Sequence, residues 1–150
     1  MKLSFLTMMI LTACAASHTK PKTPWRIDLV TSGGFAGKGN GNYAISSDGK
    51  ITITSMGGKV CTFDAAADEL AKFETLVANA KPADWKESYI PENPCCDRFQ
   101  YDLTLDQDGA KRVTRWVDDP DPMPQDLAAI AAALTGPDGS LRVRYQERCR

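Results

Sequence analysis

The sequence predicts an α+β domain: an antiparallel sheet of about four to six strands, two helices packed on one face, and disulfide staples. Three observations carry that expectation. Segments that alternate apolar and polar residues are joined by glycine-centred turns, so neighbouring segments return antiparallel. Two further stretches place apolar residues at helical spacing and end against proline. Finally, 150 residues with 43% hydrophobic and 25% charged side chains match the size and composition of one globular core.

The folded part is expected over residues 25–150. Trp25 to Thr31 alternates as a half-buried strand does, and Ser32 to Gly41 is too glycine-dense to continue it. Asn42–Ser46 and Lys50–Thr54 flank Ser47-Asp48-Gly49, a hairpin signal. Met56-Gly57-Gly58 interrupts, and Lys59 to Phe63 reads as another short strand. Asp64 is the expected N-cap of an amphipathic helix near 65–80, with Leu70, Phe73, Val77 and Ala80 as its stripe and Pro82 beyond its end. Trp85 to Pro94 reads as a loop. Arg98 to Leu105 alternates, Asp106-Gln107-Asp108-Gly109 turns the chain, and Lys111 to Val117 returns beside it. Asp118 to Pro124 is an acidic, proline-rich connector. Pro124 opens a second helix through Leu127, Ile130 and Leu134, closed by Gly136-Pro137. The tail Leu141 to Tyr145 alternates and is expected as an edge strand.

The first residues read as an address. Lys2 precedes an apolar run from Leu3 to Leu11 without an acid, the layout of an export signal and too short to span a bilayer as a helix. The run ends in Leu11-Thr12-Ala13-Cys14, which resembles a bacterial lipobox. The resemblance implies a signal peptide over 1–13, diacylglycerol on the Cys14 thiol and a bilayer as partner. With Ala15 rather than an acid next in line, it also implies the outer membrane. An ordinary signal cleaved after Ala13 or Ala15 is the alternative. Residues 14–24 then form a lipidated tether, small, polar and proline-bearing, reaching at most about 33–36 Å from its ten-residue spacer; His18 belongs to this spacer.

Four cysteines remain: Cys61, Cys95, Cys96 and Cys149. In an exported chain an even number reads as two disulfides. Bridging the adjacent pair strains a small ring, so Cys61 is expected to pair with one of Cys95 and Cys96, and Cys149 with the other. A four-thiolate zinc site is the competing reading, but adjacent cysteines do not supply the usual C-x2-C spacing.

Catalytic classes fare poorly. His18, the single histidine, lies in the tether, which leaves no Ser/His/Asp or Cys/His arrangement in the domain. The formal charge of −1 lacks the basic footprint of a nucleic-acid binder. Asp118, Asp119 and Asp121 are a consecutive run rather than a calcium loop. Trp85, Tyr101 and Trp116 read as core rather than as the lining of a ligand groove. No cofactor is expected.

Ser32-Gly33-Gly34-Phe35-Ala36-Gly37-Lys38-Gly39-Asn40-Gly41 is the local feature with functional promise. It is not a phosphate loop, because Lys38 precedes Gly39 rather than Ser or Thr and the next element is a strand. A first strand running into Ser32-Gly33-Gly34-Phe35-Ala36-Gly37 resembles the start of emfourin, a small bacterial protein inhibitor of thermolysin-type metalloproteases. The hairpins and helices from Trp25 to Leu134 are compatible with that family; the lipobox, the tether and Cys95-Cys96 are departures from it. The resemblance carries over Gly33, Gly34, Phe35, Ala36 and Gly37, and implies a non-catalytic binding domain whose partner is a secreted or periplasmic metalloprotease. A structural, envelope-associated lipoprotein without a protease target is the alternative.

Overall fold

A computed structural model describes residues 23–92 and 97–149. The expected signal peptide, Cys14, the tether up to residue 22, Cys95 and Cys96 lie outside the described residues.

The elements in chain order are β1 (Trp25–Gly33), β2 (Asn42–Ser46), β3 (Lys50–Thr54), β4 (Val60–Asp64), α1 (Ala67–Asn79), a 3-10 turn (Pro82–Asp84), β5 (Ser88–Tyr89), β6 (Phe99–Gln107), β7 (Ala110–Val117), α2 (Gln125–Thr135) and α3 (Leu141–Arg148). All seven strands join one sheet in the order β4-β3-β2-β1-β6-β7-β5. Every pairing is antiparallel except β5 with β7. The β6–β7 turn follows from Asp108-Gly109, both at positive φ (54° and 82°), the geometry a two-residue hairpin requires.

Alternation decides the layers. Ile27, Leu29, Ile45, Ile51, Ile53, Leu103 and Leu105 point to one face and are at most 1% exposed. They meet Phe73 and Val77 of α1, Leu127, Ile130 and Leu134 of α2, and Leu141 of α3 in one core. Among the described residues no helix packs on the opposite face. That face is polar and laced with ion pairs, Arg26 to Asp28 at 2.6 Å and Arg115 to Asp102 at 3.0 Å. Within β1, the inward residues are buried and Arg26 and Val30 are exposed, as a half-solvated sheet demands.

Trp85 and Tyr89 are buried at 2% and 1%. Asp126, in the first turn of α2, accepts hydrogen bonds from Trp85 Nε1 at 3.0 Å and from the Lys81 amide at 2.7 Å. Arg112 Nη2 donates to the Trp85 carbonyl, and Thr114 Oγ1 donates to that of Lys86 at 2.8 Å. The stretch expected as a plain loop is therefore stitched to the sheet, and its Ser88-Tyr89 supplies the short parallel strand. That strand raises the count to seven.

Three further expectations need correction. The tail is helix, not edge strand: Leu141, Tyr145 and Cys149 recur every fourth residue and turn inward together, while Ser140 caps the helix by accepting from the Val143 amide at 3.4 Å. Asp64 ends β4 and pairs with Lys50 at 2.6 Å instead of capping α1, whose N-cap is Ala66. Cys61 pairs with Cys149, not with Cys95 or Cys96, at a Cα separation of 6.0 Å. The helical tail explains that bond, because α3 delivers Cys149 to edge strand β4. Lys59 Nζ donates to the Cys149 carbonyl at 3.0 Å, and Arg148 lies over the Phe63 ring.

Candidate functional site

The glycine loop leaves β1 at the end of the sheet opposite the chain's entry at Thr23. Gly33, Gly34, Gly37, Gly39 and Gly41 all take positive φ. Two of them show why only glycine fits. A Cβ on Gly34 would stand 2.4 Å from the Phe99 ring, and one on Gly39 would stand 2.1 Å from the Thr31 carbonyl oxygen.

Hydrogen bonds fix the loop along its whole length. The Gly34 amide donates to the Arg98 carbonyl at 2.9 Å, and the Gly39 amide to that of Gly33 at 3.1 Å. The Gly37 amide donates to the Gly34 carbonyl at 2.9 Å, closing a tight turn with Phe35 and Ala36 at its corners. Buried Thr31 is the hub beneath. Its hydroxyl donates to the Gly41 carbonyl at 2.7 Å and accepts from the Asn40 amide at 2.6 Å, while its own amide donates to Asn42 Oδ1 at 3.0 Å. The chain's own hydrogen bonds thus support the loop from within.

That backbone presents an aromatic ring to water. Phe35 is 96% exposed, and Ala36, Gly37 and Lys38 are exposed beside it. The five residues taken from the sequence are therefore contiguous and ordered, with Gly33 and Gly34 as buttress and Phe35 to Gly37 as the presented tip.

The floor beneath the loop uses residues that the sequence pattern marks as connector and core, not as part of the loop. Asp118 accepts from the Phe99 amide at 3.0 Å through Oδ2 and from the Tyr101 hydroxyl at 2.9 Å through Oδ1. Burial, seconded by that bond to Asp118, pushes the Tyr101 phenol well above its ordinary range. Arg98 donates to the carbonyls of Asp118 and Asp119 at 2.9 and 3.1 Å. The acidic connector is thus a structural tie under the loop. Tyr101 stacks on buried Trp116 at 5.4 Å between ring centroids, an aromatic pair at the margin of the core.

A groove of about 200 Å³ opens beside the loop, between Asn40, Gly41 and Met56 on one side and Arg142, Tyr145 and Gln146 of α3 on the other. Among the described residues no group of three or more His, Cys, Asp or Glu side chains could hold a metal ion, and no helix is long and apolar enough to cross a membrane. Comparison of the chain with protein-family models, with curated proteins and with solved structures finds no match.

Proposed function

We propose that the chain is a non-catalytic binding protein that inhibits thermolysin-type metalloproteases by seating the tip of its glycine loop in the target's cleft. We further propose that export and acylation of Cys14 hold it on the outer membrane, facing periplasm or surface. The single observation that carries the binding reading is Phe35, 96% exposed on a loop whose backbone is fixed by its own hydrogen bonds. An aromatic side chain left in water forgoes roughly 1.5–3 kcal/mol of burial, which a partner's pocket restores. A loop already in shape loses little entropy on docking. The resemblance of Ser32 to Gly37 to the emfourin segment names the target class.

Inhibition by touch needs no reacting group, only occupation of a cleft by a surface that does not rearrange. The test is titration of thermolysin-type proteases with a soluble Cys14→Ser form. Micromolar inhibition is expected, weakened about tenfold or more by Phe35→Ala, with the thermal unfolding of the free protein unchanged. Absence of inhibition across several such proteases would overturn the inhibitor reading. Export and anchoring are read separately, by mass spectrometry of the N-terminal peptide from the membrane fraction. An uncleaved, unacylated chain recovered from the cytosol would overturn both.

A further inference from the structure

We infer that the groove beside the glycine loop is a carboxylate-receiving subsite with Arg142 as its cation, so that the bound protein presents an acidic side chain next to the residue that meets Phe35. This rests on the reading that this end of the molecule binds another protein.

The arginines of α3 are used unequally. Arg144 faces Glu147 at 3.4 Å and Glu69 at 4.0 Å. Arg148 donates to the Asp64 carbonyl at 3.2 Å and covers Phe63. Arg142 is exposed, lines the groove and has no acidic partner among the described residues. Arg142 is the one charged residue among those that line the groove, and no Asp or Glu lines it. Charge complementarity therefore selects an anionic occupant.

Size and lining narrow the choice to a side chain. About 200 Å³ falls below the roughly 300–1,000 Å³ of small-molecule sites. The Tyr43 hydroxyl lies in the groove wall, donating to the Asn40 carbonyl at 3.1 Å. Burial raises the Tyr43 pKa and the Arg142 charge opposes that rise, as expected of a guanidinium beside this wall. A guanidinium offers a planar fork that matches a carboxylate with two hydrogen bonds, stronger than neutral ones. Asn40 and Gly41 of the groove wall belong to the same loop as Phe35.

The experiment is an amide-resolved NMR titration of the Cys14→Ser protein with N-acetyl-aspartyl-methylamide, and with the neutral N-acetyl-asparaginyl-methylamide as control. Shifts at Gly41, Met56 and Gln146 should saturate with the acid and be about tenfold weaker with the amide. Arg142→Gln should abolish the preference and Arg142→Lys retain part of it, each with an otherwise unchanged spectrum. Equal responses to acid and amide, no saturable response, or an unaltered preference in Arg142→Gln would each overturn the inference. The titration uses no protease, so its failure leaves the inhibitor reading standing, and failure of inhibition leaves the subsite standing.

Discussion

Removing the bond between Cys61 and Cys149 should cost the fold a calculable amount. The two residues are 88 apart in sequence, so the bond withdraws a large loop from the freedom of the unfolded chain. The chain-entropy relation gives about 4.6 kcal/mol at 25 °C for a loop of that length, and measured bridges commonly return about 2–4 kcal/mol. The lower figure is expected, because α3 has only eight residues and fully buries just Leu141. A helix that short is marginal without an external hold, so part of the loss falls on α3 alone and spares the sheet. The assay is urea unfolding of Cys61→Ser/Cys149→Ser against the parent, followed by the fluorescence of buried Trp25, Trp85 and Trp116. Amide exchange should show α3 opening first. A change below about 0.5 kcal/mol, the level of an ordinary surface substitution, would refute the reasoning. So would non-reducing peptide mapping that joins Cys61 to Cys95 or Cys96.

Further outcomes follow from the loop and from Asp126. Gly39→Ala forces a Cβ against the Thr31 carbonyl and should cost at least about 2 kcal/mol, with loss of inhibition; Gly37→Ala meets nothing within 4 Å and should cost only about 1 kcal/mol through its positive φ. Thermal unfolding of the two variants distinguishes them. Burial alone would raise the Asp126 carboxyl, but the hydrogen bonds from Lys81, Trp85 and Leu127 outweigh it and leave the pKa below the ordinary value of 3.8. A depressed carboxyl stabilises the fold above its unfolded pKa and stops doing so as pH falls through the folded one. Asp126→Ala should therefore cost about 1 kcal/mol at pH 7, solvent screening included, and progressively less below about pH 4. Urea midpoints across pH 2–7 measure this; a constant difference across that range would contradict it.

Most of the sheet was legible because alternating segments joined by turn residues mark strands with a wet face and a dry one, and apolar residues three and four apart mark helices. That held for the paired strands and for the α1 and α2 stripes. The tail Leu141-Arg142-Val143-Arg144-Tyr145 satisfies two periods at once; only the extension to Cys149 at a second four-residue step favours helix. Ser88-Tyr89 gave no signal, since a two-residue strand is held by partners distant in sequence: the Arg112, Thr114 and Asp126 side chains. At the candidate site the glycines announced a loop, but not its stiffness. That comes from Thr31, Asn42 and Asp118, polar residues whose roles depend on which carbonyls and amides the fold brings to them.

The strand β1 has nine residues, with the chain's entry at one end and the loop at the other. Extended backbone of that length spans about 27 Å, so Thr23 stands near one end of β1 and the loop that carries Phe35 at the other. A surface bearing Cys14 would look at the back of the domain, leaving the ring aimed outward at arriving macromolecules. Lengthening or shortening the leader would then change how far the tip reaches, and leave its grip the same.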